Sequence, residues 1–298
     1  MRERILAVVG AVALVVVAVV VRQGVLGGGD KTGRQATEGS PVVACAPALT
    51  SICDDLARAG RIAADPPVLD LGETPDEGVD GWITWDPAPA LANLDTPQTW
   101  GAATALGSAE LGILATTAGV PAACATTRTW SCLGDAWAGG STAVGVGEPD
   151  SAGGLARIHP LAAALVPDGG DFTQIPASSV QAIVTSPAAG QADLEAQITT
   201  ILTARGALTA LVGPLPRLQL VASRPGASGL RALAVTPPSR ATVVVTSRNG
   251  RSLDPGRLAA ALRTTTTLSD LGLTPGGTVG GDELAGDLYQ VRLKAGTP

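Results

Sequence analysis

Small and polar residues gather where a predicted strand, residues 142–147, leads into a predicted helix. The connecting segment is Glu148-Pro149-Asp150-Ser151-Ala152-Gly153-Gly154. A helix that starts at Ser151 leaves backbone N–H groups unpaired, and the helix dipole adds positive character there. The segment therefore predicts either a site for an anionic or polar ligand group or an N-capped helix whose glycines allow close packing. Asp150 in the same turn would repel an anion.

Two tryptophans and one short loop are further candidates for ligand contact. Trp82 and Trp85 could line a cleft and stack on a ligand, although aromatic residues on a strand more often belong to the core. The loop Ala46-Pro47-Ala48-Leu49 offers backbone donors but no side-chain chemistry. His159, the only histidine of the chain, precedes Pro160 and is interpreted as a structural or surface residue.

The four cysteines form two local pairs with the same C-x7-C spacing, Cys45 with Cys53 and Cys124 with Cys132. An even number of cysteines in local pairs is typical of disulfides in an oxidising compartment. Free buried thiols and a metal site are the alternatives, but zinc sites usually have closer ligand spacing and often include histidine. The sequence favours two disulfides, and the local pairing is one of three that four cysteines allow.

Catalytic signatures are not found in the sequence. There is no G-x-S-x-G elbow, P-loop, dinucleotide fingerprint or zinc motif, and the single histidine has no evident acidic partner. Carboxylate pairs such as Asp54-Asp55 and Asp282-Glu283 are adjacent in sequence, so their side chains diverge and indicate solvated surface. The sequence therefore predicts neither an enzyme nor a bound cofactor or metal.

Short strands alternate with amphipathic helices along the chain, which favours α/β layers with a mostly parallel sheet. Asp254-Pro255 is a strong helix start, as a cap followed by a first-turn proline. Helices are predicted over 52–63, 130–137, 151–165, 194–202 and 255–262. Strands are predicted over 42–45, 68–71, 81–85, 111–116, 142–147, 180–185, 217–223, 241–246 and 289–293.

An apolar run from Ile5 to Val21 follows a short segment, Met1-Arg2-Glu3-Arg4, in which three of the four residues are charged. Seventeen helical residues rise about 26 Å, slightly less than the bilayer core. A cleaved signal peptide is the alternative, but the run lacks a good small-x-small cleavage site. We expect a transmembrane signal anchor over 1–22, a flexible stalk over 23–40 that is rich in Gly, Thr, Asp and Lys, and a domain outside the cytoplasm.

The net charge of −6 argues against broad electrostatic attraction to nucleic acid. The remainder of the chain, 41–298, is long enough for one large domain or two lobes. Its core must be aliphatic, because the chain has only five Trp, one Phe and one Tyr.

Four segments resemble those of extracytoplasmic solute-binding proteins of ABC transport, in particular an actinobacterial branch whose substrate-binding-like domain often precedes a von Willebrand A domain. The segments are Val43-Ala44-Cys45-Ala46-Pro47-Ala48-Leu49, Val79-Asp80-Gly81-Trp82-Ile83, Thr129-Trp130-Ser131-Cys132-Leu133 and the Gly145 to Leu155 stretch. The likeness spans roughly residues 42–275. It implies an α/β, two-lobed type 2 periplasmic-binding-protein-like fold with mixed sheets, here preceded by one transmembrane helix.

The resemblance also implies lobes and a set of ligand-binding residues. Lobe one would comprise about 42–116 and 224–298, and lobe two about 117–223, with Thr116, Thr117 and Ser223 near the crossings between them. The predicted ligand-binding residues are Ala46, Pro47, Ala48, Leu49, Trp82, Trp85, Thr116, Thr117, Asp150, Ser151, Gly153 and Thr185.

Two functional hypotheses remain from the sequence. The first is a membrane-tethered solute-binding-like protein that closes on a small polar solute, for transport through an ABC permease or for sensing. The second is a degenerate binding fold that serves as a cell-envelope protein-interaction module without a small ligand. Polar side chains that converge on a cleft would favour the first, and a filled or apolar cleft would favour the second.

Overall fold

A computed structural model describes residues 39–139, 143–168, 170–185, 190, 192–204 and 206–296. The chain from Thr37 to Pro298 forms one compact unit. The predicted anchor, 1–22, and all but the last two residues of the predicted stalk, 23–40, lie outside the described residues. Within the described ranges, no helix has both the length and the hydropathy needed to cross a membrane.

One mixed sheet organises the domain. Its strands are β1 Val43–Cys45, β2 Gly81–Trp85, β3 Thr104–Ala115, β4 Val144–Gly145, β5 Ala210–Pro214, β6 Arg231–Ala234, β7 Arg240–Ser247 and β8 Thr274–Pro275. The order along the sheet is β1-β2-β7-β3-β5-β4, while β6 and β8 also pair with β3. Only β1–β2 and β4–β5 are parallel among the paired named strands, so the expected mostly parallel sheet is wrong.

Strand β3 is shared by two halves of this sheet, because it exchanges partners along its length. Residues 104–110 pair with β7, and β8 joins at Gly107 and Ser108. From Leu111 the partners become β5 and β6 instead. We call β1, β2, β7, β8 and residues 104–110 the first half, and β4, β5, β6 and residues 111–115 the second half.

Helices cover both faces of the sheet. They are α1 Thr50–Arg58, α2 Ala88–Asp95, α3 Trp130–Ala138, α4 Ala152–Ala163, α5 Ala177–Val184, α6 Leu194–Thr203, α7 Leu215–Ala222, α8 Pro255–Leu262, α9 Thr267–Asp270 and α10 Gly281–Ala295. Helices α3, α4, α6 and α8 match the predicted ones within two residues at each end, whereas α1 ends at Arg58, five residues before the predicted end. The predicted caps are present, since Ser151 accepts from Gly154 N–H and Asp254 accepts from Arg257 N–H.

The core is divided by the alternation of side chains across the sheet. Val43, Ile83 and Val243 face one way and pack with α1 and α8, whereas Ala44 and Trp82 face the other way and join the largest cluster. A third cluster packs α6 and α7 on the second half of the sheet. As predicted, aliphatic residues make up most of this core.

Both predicted disulfides are confirmed, with local pairing. Cys45 is joined to Cys53 with a Cα–Cα distance of 6.4 Å, and Cys124 to Cys132 at 5.6 Å. The first links the end of β1 to α1 in the first half. The second links the short 3-10 turn Ala122–Cys124 to α3, beside the second half.

Three predicted strands are helices instead. Residues 180–184 belong to α5, where Val180, Ile183 and Val184 are buried at helical spacing. Residues 217–222 belong to α7, whose buried residues are three apart and whose first turn contains a proline. Short apolar runs do not distinguish a strand from a helix by periodicity alone, which explains both errors.

The predicted strand 289–293 lies inside α10. Apolar and polar residues alternate there, but the buried residues Ala285, Leu288 and Val291 are three apart, as on a helix face. Gly296, with φ of 85°, ends the helix in the left-handed conformation that glycine adopts without strain. Residues 68–71 form no named strand and contribute one bridge, from Val68 to Cys45.

Candidate functional site

A cavity of about 780 Å³ opens where the two halves of the sheet meet. Its floor is apolar, with Leu111 of β3, Pro214 of β5 and Ala241 of β7, and Leu111 and Pro214 are paired across the ladder. The volume lies within the range of small-molecule sites, about 300–1,000 Å³. The change of partners along β3 therefore creates a cleft that side chains from both halves can reach.

The first half contributes the turn before α1 and the exposed face of that helix. Ala46, Pro47 and Ala48 line the cavity, followed by polar residues of α1 and by α9. Asp55 forms an ion pair with Arg58 and accepts a hydrogen bond from the Thr267 hydroxyl, which connects α1 to α9. Helix α1 has no side-chain N-cap, because Leu49 occupies the capping position.

The second half contributes the start of α4, where side chains of the protein itself accept hydrogen bonds from the backbone N–H groups. Ser151 Oγ accepts from Gly154 N–H at 3.0 Å, and Asp70 Oδ1 accepts from Ala152 N–H at 3.1 Å. Burial raises the pKa of Asp70, and hydrogen bonds from Leu71 and Ala152 N–H oppose that shift. A carboxylate of the protein thus already occupies the position that the sequence offered to an anionic ligand.

Arg157 lies one turn into α4, is only 8 % exposed and lines the cavity. Its Nη1 donates to Gln197 Oε1 at 2.7 Å and to the Val212 carbonyl at 3.4 Å, and its Nε donates to the Gly153 carbonyl at 3.3 Å. Burial lowers the pKa of Arg157 to about 10, while the nearby charge of Asp193 acts in the opposite direction. Arg157 therefore remains a cation at neutral pH.

Glycines make room for this buried arginine. A side chain at Gly147 would clash with Nη2 of Arg157, and one at Gly145 would come within 2.8 Å of Gln197 Oε1. A Cβ at Gly154 would overlap the backbone carbonyl oxygen of Glu148. The glycines of this segment thus permit close packing, and two of them accommodate Arg157 and Gln197.

Gln197 holds the guanidinium in place from α6. Its side chain is fully buried, and its Nε2 donates to the carbonyls of Gly190 at 2.9 Å and Ala192 at 2.8 Å. Because both of these donor bonds are used, the amide orientation is fixed with Oε1 toward Arg157. Arg157 and Gln197 thus form a rigid polar pair, of which Arg157 lines the cavity and Gln197 lies buried behind it.

No protein-family model matches the sequence, and no curated protein matches it. Among solved structures, the chain is similar to the periplasmic binding protein AfuA from Actinobacillus pleuropneumoniae, with fructose-6-phosphate bound, at a TM-score of 0.52 and 13% identity; the match covers 87% of this chain and 97% of AfuA. It is also similar to a periplasmic thiamin-binding protein, at a TM-score of 0.51 and 10% identity, over 86% of this chain and 96% of that protein.

The fold is that of periplasmic solute-binding proteins. The similarity extends over nearly the full length of both neighbours. At 10–13% identity it establishes the architecture alone.

Six predicted ligand-binding residues of this binding-protein fold line the cavity: Ala46, Pro47, Ala48, Trp85, Ser151 and Gly153. They come from three separate stretches of the chain, which the fold brings together. Whether they contact a ligand stays a prediction.

Two other predicted residues lie in the core. Leu49 is 0 % exposed and packs with the α1 side of the sheet. Trp82 is 1 % exposed, donates to the Leu69 carbonyl at 3.0 Å and packs 5.4 Å from the ring of Trp100. Trp82 and Trp85 are three residues apart on one strand and so project to opposite faces, which explains why only Trp85 reaches the cavity.

The remaining predicted residues lie away from the cavity wall. Thr116 follows β3, where its hydroxyl caps the short turn Thr117–Gly119. Asp150 is exposed in the turn before α4, and Thr185 follows α5 with its hydroxyl bonded to the Gln181 carbonyl. The exchange of partners in β3 occurs near Leu111, before Thr116, while the predicted lobe boundaries stay a prediction.

Sequence analysis missed the charged residues of the cavity, above all Arg157. One signal was available: Arg157 is a lone charge among apolar neighbours, between Leu155-Ala156 and Ile158. A cation at a position predicted to be buried requires a compensating partner, and that marks it as a functional candidate.

Proposed function

We propose that this chain is a solute-binding protein that captures a small polar ligand between the two halves of its sheet. The observation that carries the proposal is the open, charged cavity at the junction, with Arg157 in its wall and the buried Gln197 holding it from behind. The neighbours of similar fold support it, since one is described with fructose-6-phosphate bound and the other as a thiamin-binding protein. An open cavity lined by charged side chains argues against the alternative of a degenerate fold that acts only through protein contacts.

The proposal includes tethering at the outer face of the cell membrane, with the lobes and stalk as predicted. The apolar run over residues 5–21 supports an anchor, and two disulfides support an oxidising compartment. A tethered binding protein would keep its solute near a permease or report its presence. We also propose that the chain is related to the actinobacterial branch of solute-binding-like proteins, which the four sequence segments support. The proposed role is binding and not catalysis.

The test is a thermal-shift screen of the full chain, purified in mild detergent, against small sugars, sugar phosphates, amino acids and thiamin. A ligand at 100 times its Kd should stabilise the native state by about 2.7 kcal/mol. Ala48→Trp should abolish the shift, because Ala48 is exposed and lines the cavity, so that an indole there obstructs it. Ala122→Trp is the matched control, since Ala122 is also exposed but lies outside the cavity wall.

A shift that survives Ala48→Trp would place binding outside the cavity and contradict the proposal. The absence of a shift with every class of solute would contradict it as well.

A further inference from the structure

The charges that line the cavity are unequal in number and differ in how they are paired. Seven carboxylates face three arginines: Asp54, Asp55, Asp70, Glu148, Asp193, Glu195 and Asp270 against Arg58, Arg157 and Arg217. Arg58 is paired with Asp55, and Arg217 forms a bidentate pair with Glu195 at 2.9–3.1 Å. Arg157 is the one of the three without a carboxylate within ion-pair distance among the described residues.

Among the residues that the structure describes, the hydrogen bonds of Arg157 reach neutral oxygens, those of Gln197, Gly153 and Val212. Burying a cation without a counter-charge is costly, because the low-dielectric interior replaces the water that would solvate it. The charge of Asp193 acts on the arginine, but the Asp193 carboxylate caps α6 through Ala196 N–H at 2.8 Å. The positive charge of Arg157 is therefore available to a group that enters the cavity.

We infer that Arg157, held by Gln197, is the subsite for a single anionic group of the ligand. This inference rests on the proposed function. Guanidinium binds carboxylate and phosphate oxygens with charge-assisted hydrogen bonds, and the buried setting strengthens them. The pairing would supply the missing counter-charge of Arg157.

The rest of the cavity fixes the chemistry of the rest of the ligand. The carboxylates left after pairing, Asp54, Asp70, Glu148, Asp193 and Asp270, repel a second anionic group and accept hydrogen bonds. The ligand class is thus a small molecule with one carboxylate or phosphate and a body rich in hydroxyl or ammonium donors. Inorganic phosphate alone lacks that body and is expected to bind weakly.

The test uses matched pairs of probes with the full chain: sugar acids and sugar phosphates against the parent sugars, and amino acids against their amides. Each solute that stabilises the wild type should carry an anionic group, and its neutral or amide counterpart should bind at least tenfold more weakly. A carboxylate hit without a phosphate hit, or the reverse, identifies which oxyanion the subsite takes.

Two variants assign the effect to Arg157. Arg157→Gln should weaken binding of the anionic probe about 100-fold, since a charged hydrogen-bonding partner is lost. Gln197→Glu keeps an oxygen acceptor for Nη1 and places a carboxylate beside the guanidinium, at the loss of the two hydrogen bonds that Nε2 donates to Gly190 and Ala192, so a folded variant should have a neutralised subsite and bind the same probe at least tenfold more weakly. Circular dichroism of each variant confirms folding, and Gln197→Glu is decisive if Arg157→Gln does not fold.

Equal binding of an anionic probe and its neutral counterpart would overturn the subsite while leaving solute binding intact. Unchanged affinity in folded Gln197→Glu would do the same. A screen in which no probe of either kind binds would overturn the proposed function itself.

Discussion

The two sides of the cavity are built differently. On the first-half side, Pro47, Ala48 and the exposed residues of α1 are open to solvent, and α1 has no side-chain cap. On the second-half side, the start of α4 is capped twice, by Ser151 and Asp70, and packed through Gly154. Arg157 lies buried one turn farther along α4.

This difference indicates that the two sides of the cavity would contribute differently to ligand binding. Buried groups fixed by hydrogen bonds are positioned before a ligand arrives, so they discriminate by geometry and charge. Exposed side chains can adjust around whatever the fixed groups hold. Under the proposed function, we expect selectivity to come from the α4 side and adjustment around the ligand to come from the α1 side.

We expect the largest loss of stability from a substitution that disrupts the glycine packing at the start of α4. Gly154→Ala places a methyl group against the Glu148 carbonyl, so the backbone must shift, and we expect a loss of about 3 kcal/mol in the free energy of unfolding. Gly153→Ala is the matched control, because its nearest contact is Trp85 Nε1 at 3.1 Å and it should change stability by less than about 1 kcal/mol. Urea unfolding measures both. Equal losses would show that the α4 start is not packed as described.

The second half should also give the domain a pH dependence through His159. This ring is stacked on Phe172 with centroids 5.7 Å apart, and burial lowers its pKa from 6.5 to about 4. Below pH 6.5 His159 binds a proton in the unfolded chain, whereas in the folded chain it stays neutral until about pH 4. Stability therefore falls as the pH falls from 6.5 to 4. The loss should approach about 3 kcal/mol at pH 4.

Comparison with His159→Gln isolates this contribution, because carboxylates titrate equally in both proteins. The difference in unfolding free energy between the two should change across pH 6.5 to 4 and stay constant above pH 7. A difference that is flat across the whole range would contradict a half-buried His159 that is neutral in the folded state.

The disulfides test whether the two halves depend equally on covalent links. Each closes a loop with a sequence separation of 8, for which chain entropy predicts about 2–3 kcal/mol. The double variants Cys45→Ala/Cys53→Ala and Cys124→Ala/Cys132→Ala should therefore lose similar amounts by urea unfolding. If only one of the two double variants is less stable than the wild type, the disulfide removed in the other variant adds nothing beyond the packing around it.

We expect the smallest change in stability from substitutions at the N-termini of α4 and α1, which can be compared directly. Ser151→Ala removes the side-chain cap of α4 and should cost about 1 kcal/mol. Thr50→Ala at the start of α1 removes no cap, since no side-chain cap is present there, and should stay within about 0.5 kcal/mol. Thermal unfolding of the two variants measures both stability losses. Equal losses would contradict the described difference in capping between α4 and α1.

Sequence analysis anticipated those parts of the fold where local rules and burial agree. Strand β2 has the predicted bounds, Ser151 and Asp254 are the predicted caps, and both cysteine pairs are local. Each of these features depends on residues within about ten positions of one another. The binding-protein fold, proposed from four short segments, agrees with the solved structures of similar architecture.

The site was harder to predict, because its geometry depends on distant contacts. Asp70 caps a helix that begins 82 residues later, and Arg157 meets Gln197 across 40 residues of chain. No periodicity encodes such pairings. The helices α5, α7 and α10 were misread for a related reason, since their burial patterns are decided by the neighbours against which they pack.

The central claim is that a small solute binds between the two halves of the sheet. Hydrogen–deuterium exchange of the full chain, with and without the solute that stabilises it most, tests this directly. We predict slower amide exchange on both sides of the cavity at once, over residues 46–58 and 151–157, with little change around the smaller pocket at 67–79. Protection confined to 67–79, or no solute-dependent protection at either side of the cavity, would contradict the account.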